Sequence, residues 1–264
     1  HLWIRRQRQM CIRDSAMTGE KVKKLIKGNR GVDFEELKWL QPGLSWSPDS
    51  KKIVFAAKAG KGDVLHVVEV ETGKGEKYEL DIEGVFSASW SPLGDEIAYV
   101  GQSGNSSDIY IFDLNSQISK KITNDIFSDS YPTWSGDGKN IAFVSDRGNE
   151  ISGAYDGFMY EHDYSQTDIY FVNVETKKID RVTNTNHNES HPVWSKTSDN
   201  IFYTSDYNGV WNLYRHAISE SEDTEPIPVT NVLTGLQQPT ISGDDKLLIF
   251  AGYSGIGWDL YSIC

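Results

Sequence analysis

The chain has 264 residues, with 26 Lys and Arg against 38 Asp and Glu, so its formal net charge is −12. An acidic balance of that size speaks against nucleic acid or an anionic membrane as an electrostatic partner. No apolar run approaches the ~20 residues that a membrane-spanning helix needs.

Residues 1–15 are basic, lack an apolar segment of the kind a signal peptide has, and share nothing with the pattern that follows; they read as a non-native or disordered tail. Cys11 lies in this tail and Cys264 is the last residue, so the cysteines imply no disulfide framework. Residues 18–27, containing Lys21-Val22-Lys23-Lys24-Leu25-Ile26, form one short β-type run that follows a turn.

From Gly43 a longer unit repeats. Trp46-Ser47 returns as Trp90-Ser91, Trp134-Ser135, Trp194-Ser195 and Ile241-Ser242, at steps of 44, 44, 60 and 47 residues. Each unit holds four runs rich in β-branched and aromatic residues, here named A to D; in the third unit they are Tyr131–Ser135, Ile141–Arg147, Asp168–Val174 and Ile179–Thr183. Turn residues such as Gly136-Asp137-Gly138-Lys139 separate them. A period in the mid-forties with four strands is the pattern of a β-propeller. A β-sandwich has strands as frequent but gives no reason for Trp-Ser to return at one phase. The fold class is therefore all-β, a propeller of four-stranded blades at about 43–80, 81–123, 124–183, 184–230 and 231–264. Four blades are complete and both ends are partial: residues 18–27 are the last strand of a preceding blade, and the fifth stops within run C. Residues 16–264 thus read as a piece of a larger propeller. Pairing of Lys21–Ile26 with Leu260–Ile263 would close a five-unit ring.

The motif Tyr131-Pro132-Thr133-Trp134-Ser135-Gly136-Asp137-Gly138-Lys139, with Ile141-Ala142-Phe143, Asp168-Ile169-Tyr170 and Val182-Thr183, resembles the propeller repeats of TolB and TolB-like cell-envelope proteins. The resemblance covers about residues 20–264. It implies a periplasmic or otherwise extracytoplasmic interaction module that holds a protein or peptide and is not itself an enzyme. Such propellers also accompany peptidase domains of the prolyl-oligopeptidase and zinc-peptidase kinds, which implies an alternative role in gating or docking substrate for a fused catalytic domain.

Few residues suggest chemistry. The recurrent tryptophans, at about 200 Å² each, suit a core between sheets better than a ligand cage. His187-Asn188-Glu189-Ser190-His191 has metal-ligand residue types but not the zinc-peptidase spacing, so no metal is assigned. Gly252-Tyr253-Ser254-Gly255-Ile256 misses the nucleophile-elbow pattern at its last position, so no catalytic residue is assigned either. Nothing calls for a cofactor. The third unit is sixteen residues longer than the two before it, and the excess between runs B and C is aromatic. In a propeller the B–C and D–A connections share one face. Partner binding is accordingly expected there, at Tyr155, Phe158, Tyr160 and His162 of the insertion and at Asp129, Tyr131, Glu189 and His191 of the neighbouring D–A segments.

Overall fold

A computed structural model describes residues 11–15, 21–27, 36–37, 43–59, 62–149, 162–255 and 257–264. Among these residues the regular structure is all β-strand, with no helix. The first strands, β1 (Cys11–Ser15) and β2 (Lys21–Lys27), form an antiparallel hairpin. Five blade sheets follow. The first contains β3 (Glu36–Leu37), β4 (Ser45–Trp46), β5 (Lys52–Ala59), β6 (Gly62–Glu69) and β7 (Gly75–Glu79), with β3 and β4 both paired to β5, so run A is split in two. The second contains β8 (Gly84–Trp90), β9 (Glu96–Ser103), β10 (Ser106–Asp113) and β11 (Ile118–Lys121). The third contains β12 (Asp129–Trp134), β13 (Asn140–Ser145), β14 (Asp168–Asn173) and β15 (Ile179–Arg181). The fourth contains β16 (Glu189–Trp194), β17 (Asn200–Ser205), β18 (Asn212–Ala217) and β19 (Ile227–Pro228). The fifth has three strands, β20 (Leu236–Ile241), β21 (Leu248–Ser254) and β22 (Gly257–Ile263). In sheets two to five the strands are neighbours in chain order, as in a β-propeller. Among the described residues β2 pairs with β1 and β22 with β21.

The described residues divide into two compact units, one reaching residue 104 and including 111–119, the other made of 105–110 and 120–264. In the first, Ile53, Phe55, Ala57, Val64 and Val68 form the core. In the second, Ala142, Val144 and Ile169 pack against Trp194, Ile201, Tyr203 and Tyr214 of the next sheet, which in turn offers Leu213 to Leu236, Leu248 and Phe250. Strands B and C are thus covered on both faces, which is why their sequences read as unbroken apolar runs such as Ile141-Ala142-Phe143-Val144. Trp90, Trp134 and Trp194 are buried as expected, but Trp46 is 44% exposed, a correction to the reading of every repeated tryptophan as core.

The A–B turns owe their residues to side-chain bonding as much as to backbone freedom. Ser47, Ser135 and Ser242 each donate Oγ–H to the aspartate two residues on (2.6, 2.7 and 2.7 Å) and accept the N–H that reopens the ladder. Gly138 has φ +71 in this turn, a conformation that costs glycine little. The fourth blade has Thr197 where the first, third and fifth place Asp, and a carboxylate is supplied to its turn by the fifth. Asp245 accepts Ser195 Oγ (2.6 Å), Lys196 N (2.8 Å), Thr197 N (2.8 Å) and Thr197 Oγ1 (2.5 Å). Burial raises the Asp245 carboxyl, but these donors outweigh it and hold it at about 2. Asp245→Ala is therefore expected to lower stability by about 1–2 kcal/mol at neutral pH. That contribution is present above the ordinary carboxyl range and is lost as pH falls toward about 2, so urea unfolding of the two proteins should converge in acid.

Candidate functional site

Strand A of every blade enters the sheet through the same distortion. Three residues before each Trp-Ser, or Ile241-Ser242, the backbone is left-handed: Gly43 (φ 49), Ser87 (48), Tyr131 (53), His191 (49) and Gln238 (53). The strand registers slip at this point in sheets two to five. A bulge of this kind bends the strand and turns one side chain out of the ladder. Pro132, Pro192 and Pro239 follow it, where a missing N–H costs no ladder bond. For residues other than glycine the conformation costs on the order of 1–3 kcal/mol, so its fivefold recurrence marks a demand of the architecture.

In sheets three and four the turned-out residues are Tyr131 and His191, whose ring centroids lie 4.2 Å apart. Both are half-buried. Burial lowers the His191 imidazole to about 4, so it is neutral at physiological pH.

Buried ion pairs and hydroxyl latches recur blade by blade. Thr123, Thr183 and Thr230 end their D segments with Oγ1 accepting the N–H of Ile109, Ile169 and Leu213, each at 2.9 Å. Beside each latch the C strand begins with a polar residue. Asp108 meets Lys121 (2.8 Å) and Asp168 meets Arg181 (2.6 Å). The fourth sheet has Asn212 at that phase and the non-basic Pro228 opposite, so charge is balanced in each case. Asp129 is fully buried and receives Arg147 Nη2 at 2.6 Å, while Arg147 Nη1 reaches Asp125 at 3.0 Å and Nε donates to Ser145. The guanidinium also lies near the Phe127, Phe143 and Tyr170 rings, at 5.7, 5.2 and 5.5 Å. Burial, against the pull of Arg147, raises the Asp129 carboxyl to about 6.

Glu189 occupies the phase of Asp129 one blade later, but Tyr207 stands where Arg147 would be. The Glu189 carboxyl is fully buried and accepts Thr183, Thr185 and Ser205 hydroxyls (3.2, 2.7 and 3.3 Å). Burial raises it to about 8, and the neighbouring Asp168 pushes the same way. A proton thus replaces the missing cation.

The residues that return from the insertion are tied to the segment that leads to Glu189. Gln166 Nε2 donates to the carbonyls of Thr185 (3.2 Å) and His187 (2.6 Å), and Thr167 exchanges backbone and side-chain bonds with Asn188 and Glu189. His162 Nε2 stands 3.5 Å from Asp146, its ring against Phe127 and Tyr164. Tyr164 is 57% exposed.

The structure therefore brings Tyr131 and His191 together as a ring pair, places His162 half-buried beside Asp146, and puts Asp129 and Glu189 wholly inside, where they support the loops. Tyr155, Phe158 and Tyr160 lie outside the described residues. Glu189, Ser190 and His191 belong to β16 rather than to the D–A loop. Among the described residues no three His, Cys, Asp or Glu side chains gather closely enough to hold a metal ion. Sequence reasoning missed Arg147, Asp168, Arg181 and Gln166. Asp168 and Arg181 could have been found by comparing blades in phase, since Asp108 and Lys121 stand at the same offset, whereas Arg147 has no basic counterpart in its neighbours. Gln166 carried no such signal.

Residues 35–152 match the TolB beta propeller domain family. No protein of curated function matches the chain in sequence. Among solved structures it is similar to TolB from Acinetobacter baumannii (TM-score 0.71, 19% identity, over 96% of this chain and 56% of that one). It is also similar to a putative TolB from Agrobacterium tumefaciens (0.67, 17%, 91% and 78%) and to the β-propeller domain of the Trilobed protease from Pyrococcus furiosus (0.57, 15%, 96% and 87%). At these identities the structural likeness speaks to fold, and the chain spans little more than half the length of the Acinetobacter protein. Residues 35–152 are TolB-type propeller repeat, and the fold of the chain is similar to that of the TolB propellers.

Proposed function

We propose that the chain is a non-catalytic interaction module of the extracytoplasmic space, which holds a protein or peptide on the face of the B–C and D–A loops. The observation that carries this is the Tyr131–His191 ring pair, held by strained bulges in strands whose buried carboxylates, Asp129 and Glu189, are already taken by internal partners. Carboxylates so engaged are poorly placed for acid–base work, whereas rings pre-set in position make cheap, rigid contacts. Tyr155, Phe158 and Tyr160 of the aromatic insertion belong to the same proposal on the ground of sequence alone. Similarity to the propeller of a protease favours a second reading, in which that face docks substrate for a fused peptidase domain and no catalytic residue lies in this chain.

Selection of peptides from a random library on the purified chain tests the first reading. Tyr131→Gly with His191→Gly removes both rings while relieving the left-handed backbone, as Gly43 already does in the first blade. The selected peptides should bind at least tenfold more weakly to this variant and to the Tyr155, Phe158, Tyr160 triple alanine variant. Unchanged binding to both would refute the assignment.

A further inference from the structure

Blades three and four build the same corner at the end of strand B and fill it differently. In blade three Asp146 follows Ser145 and accepts the N–H of Ser128 at 2.8 Å, and the Arg147 guanidinium lies 5.7 Å from the Phe127 ring centroid. In blade four Asp206 follows Ser205 and accepts the N–H of Asn188 at 2.9 Å, and the Tyr207 ring lies 4.9 Å from that of His187, which holds the phase of Phe127. Tyr170 and, one blade later, Tyr214 stand behind, 5.5 Å from Arg147 and 5.9 Å from Tyr207. The first corner thus carries its own cation among rings, whereas the second has an acid and rings without one.

The second corner is also the open one. The side chains of Asp206 and His187 are 31% and 40% exposed, against 7% for Asp146 and 0% for Arg147. Among the described residues no lysine or arginine bonds Asp206, and its contacts with Asn188 N and with His187 Nδ1, at 3.7 Å, are both made by Oδ1. The segment that Gln166 ties to the Thr185 and His187 carbonyls carries another exposed acid and ring, Asp163 and Tyr164. The Ser165 hydroxyl and N–H hold the Asp163 carboxyl below the usual carboxylate range, so it is charged at neutral pH. Arg147 and Arg181 offer no counter-charge to a partner, being bonded to Asp125, Asp129 and Asp168. A half-exposed acid beside tyrosine and histidine rings, in a chain of net charge −12, complements a cation.

We propose that the Asp206 corner holds an arginine side chain of the partner peptide, with its charge on Asp206 and its plane against Tyr207. This rests on the reading of the loop face as a peptide-binding surface and adds the chemistry of what is held there. Arginine is favoured over lysine because its planar head stacks on a ring and offers parallel N–H groups to a carboxylate.

The test titrates the intact, isotopically labelled chain with three capped tripeptides, Gly-Arg-Gly, Gly-Lys-Gly and Gly-citrulline-Gly, and reads backbone amide shifts. The arginine peptide should give saturable shifts at Asn188 and at Asp206 to Asn208. The citrulline peptide, of the same shape without the charge, should bind about fivefold more weakly, on the order of an exposed ion pair with a ring contact. Asp206→Asn keeps an oxygen for the Asn188 N–H and should erase the difference between those two peptides. Tyr207→Leu should weaken the arginine peptide about threefold. An arginine peptide that binds no tighter than the lysine or citrulline peptide, shifts centred away from this corner, or no shift at millimolar peptide would each overturn the proposal. Library-selected peptides that need Tyr131 and His191 but bind equally well to Asp206→Asn would also overturn it, while leaving the wider reading of the face intact.

Discussion

Arg147→Met should destabilise the protein by about 3–5 kcal/mol, the usual cost of stranding buried charge. Its guanidinium is fully buried and serves Asp125 and Asp129, whose side chains are 4% and 0% exposed, so the substitution leaves two carboxylates without a cation. The methionine keeps most of the packing against Phe127, Phe143 and Tyr170, which separates loss of charge from loss of volume. Asp129→Asn in the same background should return part of the loss, because one stranded group is then neutral. Urea unfolding at neutral pH reads both effects, and a loss under about 1 kcal/mol would mean that water reaches the pair.

Glu189→Gln should remove much of the decline in stability that the native protein shows between weakly acid and weakly alkaline pH. The folded-state pKa of Glu189 is raised to about 8 from the ordinary 4.5 of a glutamate, first by burial and then by its neighbour Asp168. Between those two values the folded protein keeps a proton that the unfolded chain has released, so stability falls as pH rises and levels off above about 8. The slope from one such group is at most about 1.4 kcal/mol per pH unit. Glutamine imitates the protonated acid, can still bond Thr185 and Ser205, and should make the variant more stable than the native chain at pH 8–9. Thermal unfolding from pH 5 to 9 decides it; parallel profiles for the two proteins would show that Glu189 is ionised in the fold.

The blade repeat was legible because burial on both faces writes itself as an apolar run, and because Trp-Ser returns with the period of the sheets. The bulge was not: tyrosine and histidine seldom take positive φ, and nothing in Tyr131-Pro132 or His191-Pro192 marks them apart from ordinary strand residues. The Asp245 tie was hidden because the carboxylate serves a turn about fifty residues earlier in the chain, in the blade whose own turn has Thr197. At the candidate site, the loops could be read from length and aromatic content, but burial could not. Asp129 and Glu189 look like exposed loop acids in the sequence, and become supports only once Arg147 and the Thr183, Thr185 and Ser205 hydroxyls close around them.

The most direct measurement is the footprint of a library-selected peptide on the isotopically labelled chain, read from backbone amide shifts. Binding at the B–C and D–A loop face predicts the largest changes at Tyr131, at His162 to Thr167 and at His187 to His191, with the turns at Ser135–Lys139 and Ser195–Asp199 unmoved. A footprint centred on those A–B turns, with Tyr131 and His191 unchanged, would contradict it.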